Sequence, residues 1–378
     1  MLIERDLTSA YPNVDADKII KRFWVDPNTV CYSGIEFNPK GTSGNFLNLW
    51  VGPTIDPNQG DWSLIKSFLL DVICDGDQVA YDYLIKYIAH ALQRPEEKPG
   101  VMIILIGGQG IGKGTLGRIL QKIWSATYIQ VNNIDAVTGS FNAILERAYI
   151  VFMDEALFAG DRRSSDALKS IVTEHIIHIN EKHQPARQIK SYHRLFAATN
   201  ADHFKNTERD DRRDFTLRVS EARKGDHAYW KALHHAIDHG GVAAMVHDLL
   251  AMDLSDFNIR DKPNTKEFME QKLLSLEPVA RWWHDFLVSG SLDDAWPEFI
   301  STAGIIEKVW DFSGHKLYRK PTAVTVAQDM KKLCPSAKKQ QKQDSYDRAR
   351  GFTLPSLEQA RKEFEFYIGG PVNWTEAV

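Results

Sequence analysis

The sequence predicts an α/β fold organised around a mainly parallel β-sheet, and three observations predict it. Short uninterrupted apolar runs at 101–106 (VMIILI), 148–153 (AYIVFM) and 194–199 (RLFAAT) have the length and composition of strands buried on both faces. A helical period lies between the first two, with Leu116, Ile119, Leu120, Ile123 and Trp124 recurring as one stripe. A glycine-rich stretch at 107–115 sits between the first run and that stripe, which suits an abrupt strand-to-helix turn. Strands interleaved with helices return parallel to one another, because the helix is the crossover.

The other segments follow in chain order. At 378 residues the chain is long enough for two or three domains. Residues 1–60 are rich in Asn, Gly, Pro and aromatics, and predict short strands and turns rather than long helices. Residues 61–93 carry apolar residues at helical spacing, broken by DGD into two helices, and the proline-bracketed RPEEKPG at 94–100 reads as a linker and domain boundary. The α/β core then spans 101–250. Residues 251–378 form a C-terminal part that begins helical and ends in a mixed segment, whose basic tract SAKKQQKQDSYDR reads as a solvated hairpin or loop.

Composition narrows the function classes. Hydrophobic residues at 43% and charged residues at 25% fit a globular chain with a real core. The net charge of -4 argues against a tail-driven nucleic-acid binder, but leaves room for a protein that grips DNA with a few local cations. Cys31, Cys74 and Cys334 are far apart and show no zinc spacing, so they are expected as reduced thiols. The N-terminus has no signal-type apolar core and no run is long enough to span a bilayer. The expectation is a soluble cytoplasmic protein with no membrane partner, in a bacterial host if phage-encoded.

The strongest motif is IGGQGIGKGT. Gly107, four residues, then Gly112 and Lys113 reproduce the spacing of a phosphate-binding loop in the strand–turn–helix context that loop requires. Glycines let successive amides face a polyphosphate, the helix N-terminus adds favourable partial charge, and Lys113 supplies an ammonium. The candidate ligand-binding set is therefore Gly107, Gly108, Gly110, Ile111, Gly112, Lys113, Gly114 and Thr115, with ATP and Mg²⁺ expected. The residue after Lys113 is Gly114 rather than the usual hydroxyl, so Thr115 is expected to take the Mg²⁺ role.

Three later stretches extend the site towards hydrolysis. VFMDEA brings Asp154 and Glu155 to the tip of the second strand, the edge where parallel sheets hold ligands; Asp154 suits the Mg²⁺ shell and Glu155 the lytic water. Asn200, at the end of the third strand, suits a sensor of the terminal phosphate. In ERDDRRDF, Arg212 and Arg213 are candidates for a finger that reaches a neighbouring subunit's nucleotide. The bland alternatives are a helix cap for the acids and a surface salt-bridge cluster for the arginines.

Taken in order, GGQGIGKGT, VFMDEA, LKSIVTEHIIHINEKHQPARQIKSYHRLFAATN and DDRRDFTLRV resemble superfamily 3 helicases, and more closely the helicase portion of phage and plasmid primase–helicase proteins. The resemblance is specific over 101–220 and looser over 40–100 and 220–290. It implies an AAA+-like core and a basic hairpin lining a ring channel, with Lys182, His183, Arg187 and Lys190 facing DNA and Lys169 a weaker candidate. Period-2 alternation in IIHIN and ARQIKSY supports a hairpin independently. The resemblance further implies that residues 61–100 form a helical oligomerisation collar and that the C-terminal part is a small winged-helix-like unit.

The expected function is an ATP-dependent DNA helicase or translocase in phage or plasmid replication. It would form a homo-oligomeric ring, taken as a hexamer, on single-stranded or forked DNA, with a primase or polymerase as a further partner. Two alternatives stay open: a nucleotide phosphotransferase of adenylate-kinase type, whose loop GGQGIGKGT also matches, and an AAA+ protein remodeller or loader.

Overall fold

The computed structural model describes residues 15–42, 44–154, 162–200, 212–291, 295–343 and 348–374, and for 162–165, 343 and 348 the backbone alone. The chain divides into two compact units, Met1–Val51 and Gly52–Val378.

The first unit holds helix α1 (Ala16–Val25) and a short parallel pair, β1 (Gly34–Glu36) and β2 (Phe46–Asn48). The short strands were expected; the helix was not. Its signal is the Asp15 N-cap, whose carboxylate accepts from the Lys18 amide at 3.2 Å.

The second unit begins with α2 (Ser63–Ser67), which continues into a π-helical stretch at Phe68–Ile73. A turn with Asp75 and Gly76 at positive φ then leads to α3 (Gln78–Gln93), capped by Asp77. This is the break that DGD predicts. Nearly every side of α3 is buried within the chain: the Tyr83 ring lies 4.5 Å from Phe215 and the Tyr87 ring 5.8 Å from Phe196, both on the central sheet. The helix covers one face of that sheet.

The sheet contains β3 (Met102–Ile106), β4 (Tyr128–Val131), β5 (Ile150–Asp154), β8 (Arg194–Thr199) and β9 (Asp214–Arg218), in the order β4-β5-β8-β3-β9 with every pairing parallel. Its connections include α4 (Lys113–Ile123), the short α5 (Asp135–Thr138) and α6 (Arg162–Thr173). A hairpin of β6 (Ile176–Ile179) and β7 (Arg187–Lys190) precedes β8. The three expected strands form where the apolar runs lie, and the expected stripe Leu116, Ile119, Leu120, Ile123, Trp124 is fully buried. The other face packs Met102, Ile104, Val151, Leu168, Ile171 and Leu195 into one core.

Residues 94–100 are not a free linker. Arg194, fully buried at the start of β8, donates to the carbonyls of Arg94 and Glu97 at 3.1 Å each, and Lys98 is buried and bonded to Ser191. The prolines and charges that suggested a boundary are clamped to the lower edge of the sheet.

After α7 (His227–Ala236) and α8 (Val242–Leu250) come α9 (Lys266–Leu274) and α10 (Pro278–Ser289). The chain ends in β10 (Phe299–Ser301), α11 (Thr302–Phe312), α12 (Ala323–Leu333), β11 (Lys338–Gln343), β12 (Arg348–Thr353) and α13 (Leu357–Ile368). The three strands form an antiparallel sheet ordered β10-β12-β11, so the basic tract is indeed a hairpin. This part has its own core around Trp283, Phe286, Ile305, Val309, Met330 and Phe364.

Candidate functional site

The site grows from the C-terminal edge of the parallel sheet. β3 ends at Ile106 and its chain turns sharply: the Gly107 amide donates to Thr199 O at 3.2 Å, and the Val219 amide to Ile106 O at 2.8 Å, so the turn is stitched to both flanking strands. A β-carbon on Gly107 would lie 2.6 Å from Ile111 Cδ1. At Gly112, φ is +109° and an added β-carbon would lie 2.5 Å from the Trp230 ring. Both glycines take a positive φ that favours glycine, +149° at Gly107 and +109° at Gly112, and at Gly112 the rigid Trp230 ring also leaves no room for a side chain.

Gly112 is the N-cap of α4 and offers no side chain, and no acid occupies the first turn, so the positive end of the helix faces the cleft uncompensated. Lys113 is 7% exposed. Its Nζ donates to Gly107 O at 2.5 Å, Gly108 O at 2.6 Å and Asn200 Oδ1 at 2.7 Å. The ammonium is thus fixed over the loop by three oxygens, one of them from the end of β8.

Asp154 ends β5 and accepts from Gln130 Nε2 at 3.2 Å. The sequence places the acids at the tip of the second predicted strand, without giving that strand's place in the sheet. In the fold β8 intervenes, so Asp154 stands two strand spacings away, about 10 Å. The strand between carries Asn200. Gly110, Gly112, Lys113, Gly114, Thr115, Asp154 and Asn200 nonetheless line one cleft of about 460 Å³. Glu155 lies outside the described residues.

Gln109, Trp230 and His234 complete the lining and lie outside the expected set; Gln109 belongs to the loop itself. Trp230 and His234 sit one turn apart on α7, more than a hundred residues from the loop, and a Trp–His pair at that spacing carries no specific signal. Trp230 Nε1 donates to Arg223 O at 2.8 Å, and Arg118 bonds His234 Nδ1 at 2.9 Å and Asp238. Burial, then the Arg118 charge, lower the His234 pKa.

Arg212 and Arg213 are not brought to this cleft. The Met102 amide donates to Arg213 O, and Met102 pairs with Asp214, so both arginines lie by the start of β3, roughly 13 Å of strand from the loop. The β6–β7 hairpin forms as expected, with Lys182, His183 and Lys190 exposed. Arg187 differs: its guanidinium holds Glu146 through Nε–Oε1 at 3.0 Å and Nη2–Oε2 at 2.5 Å, which raises its pKa. Lys169 pairs with Asp166 at 3.2 Å.

The opposite edge of the sheet holds a second polar group, buried and inward-facing. His193 Nε2 contacts Leu145 O and its Nδ1 contacts Ser191 Oγ, each at 2.8 Å. Burial, then the Lys98 charge, push the His193 pKa down to about 3. Burial, then Arg194, do the same to His90, also to about 3, so its 3.2 Å contact with Glu97 is made by a neutral ring. Burial lowers Lys98 to about 7.

With this geometry in hand, comparison with known proteins is informative. A family described as "Family of unknown function (DUF5906)" matches residues 105–213, the stretch from the end of β3 to the start of β9. Over 156 residues the chain is 30% identical to the DNA primase-polymerase of Nitratiruptor phage NrS-1. That match covers 40% of this chain and spans about a fifth (21%) of the relative's length. Two solved structures share its fold. The apo structure of the NrS-1 C terminal region (305-718) matches with TM-score 0.66 and 18% identity over 93% of this chain and 90% of that one. The A form apo structure of the same region gives TM-score 0.67 and 18% identity, over 90% and 89%.

These findings correct the expected function. The curated relative is a primase-polymerase and the structural neighbours are the C-terminal region of the NrS-1 protein, so the helicase or translocase reading is withdrawn, and its phosphotransferase and remodeller alternatives with it. Among the described residues no helix is long and apolar enough to cross a membrane.

Proposed function

We propose that this chain is a nucleoside-triphosphate-binding module of a phage-type DNA-replication protein related to primase-polymerases, and that its cleft takes MgATP and hydrolyses the terminal phosphate. One observation carries the reading: a buried ammonium, Lys113, is held at a helix N-terminus between glycine carbonyls and Asn200, in a cleft that also contains Asp154. A buried cation beside an uncompensated helix end is suited to a compact polyanion. The strand–loop–helix arrangement supports a P-loop NTPase core.

In this reading the loop amides and Lys113 bind the phosphates, Asn200 contacts the terminal group, and Asp154 orients water at the far side of the cleft. Thr115 and Asp154 are the residues to hold Mg²⁺, which when bound neutralises phosphate charge. The resemblance to a DNA primase-polymerase supports a role on DNA.

Phosphate release from MgATP tests the chemistry. Wild type is expected to release phosphate, and Asp154→Asn to bind ATP while releasing it at least tenfold more slowly. No release from wild type, or full turnover in Asp154→Asn, would remove the hydrolytic part of the proposal.

A further inference from the structure

The C-terminal part carries a second cleft, of about 640 Å³, between α12 and the β11–β12 hairpin. Helix α12 is anchored on one side by Val326, Met330 and Leu333, all 1% exposed or less. Its other side presents Val324, Gln328 and Lys331, spaced four and three residues apart and so on one face, into the cleft. The hairpin supplies Lys339, Gln341 and Arg350, with Gln341 directly opposite Arg350 in the strand register.

Charge is concentrated here against the trend of the molecule. Residues 323–353 contain Lys331, Lys332, Lys338, Lys339, Lys342, Arg348 and Arg350 against Asp329, Asp344 and Asp347, in a chain whose net charge is -4. No Asp or Glu is among the described residues lining the cleft. Asp329 on α12 does not line the cleft; it lies near Lys332, and burial raises its pKa. Lys331, Lys339 and Arg350 are exposed, and no described carboxylate lies within ion-pair distance of them. Three unpartnered cations interleaved with glutamine amides make a surface for phosphates and base edges together.

We propose that this cleft is a duplex-DNA-binding surface, with the exposed face of α12 entering the major groove and the hairpin cations gripping the flanking phosphates. It is a site separate from the glycine-loop cleft and does not depend on nucleotide binding there. Three alternative occupants fit less well. A single strand is gripped by exposed rings on which bases stack, whereas the one aromatic residue of this lining, Phe352, is 3% exposed. The major groove of duplex RNA is too deep and narrow for a helix to read. An apolar protein segment could pack on Ala323, Val324 and Ala327, but would leave Lys331, Lys339 and Arg350 without counter-charges.

The test is fluorescence anisotropy of the full chain with a labelled duplex of about 20 base pairs, read across a salt series. The triple variant Lys331→Ala/Lys339→Ala/Arg350→Ala is expected to bind at least tenfold more weakly, with a salt slope smaller by about 2 to 3. Its MgATP affinity is expected to stay at the wild-type value. The charge-keeping variant Lys331→Arg/Lys339→Arg/Arg350→Lys is expected to retain the slope. Lys331→Glu alone, at an exposed helical position, supplies a second variant should the triple one lose its fold, and it must also weaken duplex binding. Unchanged affinity and slope in these variants would overturn the proposal. So would tighter competition by single-stranded DNA or duplex RNA, or a loss of duplex binding caused only by Lys182→Ala/Lys190→Ala.

Discussion

In the glycine-loop cleft the cation Lys113 is buried, aimed at one point and held by three oxygens; in the α12–hairpin cleft Lys331, Lys339 and Arg350 stand in solvent with no described carboxylate within ion-pair distance. The contrast follows from what each can recognise. A cation held at a helix end by fixed carbonyls concentrates its field on a small polyanion and admits little else. A spread row of mobile cations gains by releasing counterions along a polymer, and its grip weakens with salt. Two positively charged surfaces on one acidic chain thus suit different ligands through geometry rather than through net charge.

The largest expected effect comes from filling the first cleft. Gly112→Val forces a side chain into the Trp230 ring at a positive-φ position, and should reduce MgATP affinity more than a hundredfold while lowering stability by about 1–3 kcal/mol. Calorimetric titration with a thermal melt separates the two. Normal affinity would show that the loop does not need its observed shape.

Next comes the Lys331/Lys339/Arg350 triple alanine variant, with its tenfold or greater loss of duplex affinity and no change in nucleotide binding. A matching loss of both would mean that the two clefts do not act separately, and the comparison would fail.

The smallest effect on ligand binding comes from the other edge of the sheet, where buried groups act on stability. His90 and His193 stay neutral in the fold to about pH 3, whereas in the unfolded chain they take up protons below about pH 6.5. Protonation then favours the unfolded state. Their contribution is complete above about pH 6.5 and is lost as the pH falls towards 3, at up to about 1.4 kcal/mol per pH unit for each ring. His193→Gln should flatten that acid limb in denaturant melts and leave MgATP affinity at pH 7 unchanged. An equally steep limb would remove His193 from the account.

Much of this was legible in residue order, for definite reasons. The three central strands are continuous apolar runs, so burial on both faces leaves no competing period, and the loop glycines stand at a spacing that few other turns need. The flanking strands were not legible. YIQV in β4 is half-exposed on an edge, and DFTLR in β9 follows a charged run that hides it. Spatial order was also hidden: nothing local to VFMDEA says that the Asn200 strand is inserted between it and the loop. Trp230 and His234 reach the cleft only through the packing of α7, and Lys98 looks like a linker lysine until Arg194 is seen gripping the Arg94 and Glu97 carbonyls just before it. The basic tract reads equally as a hairpin or a loop, and its place beside the exposed face of α12 is a tertiary fact.

The central claim is that Lys113 and its glycine loop form a triphosphate site, and the most direct test is equilibrium titration of MgATP against wild type and Lys113→Ala. Loss of a charge-assisted contact to phosphate is worth about 1.5–3 kcal/mol, so the variant is expected to bind roughly ten- to a hundredfold more weakly with its melting temperature retained. Equal affinity in the two proteins, or no measurable binding to wild type, would contradict the account.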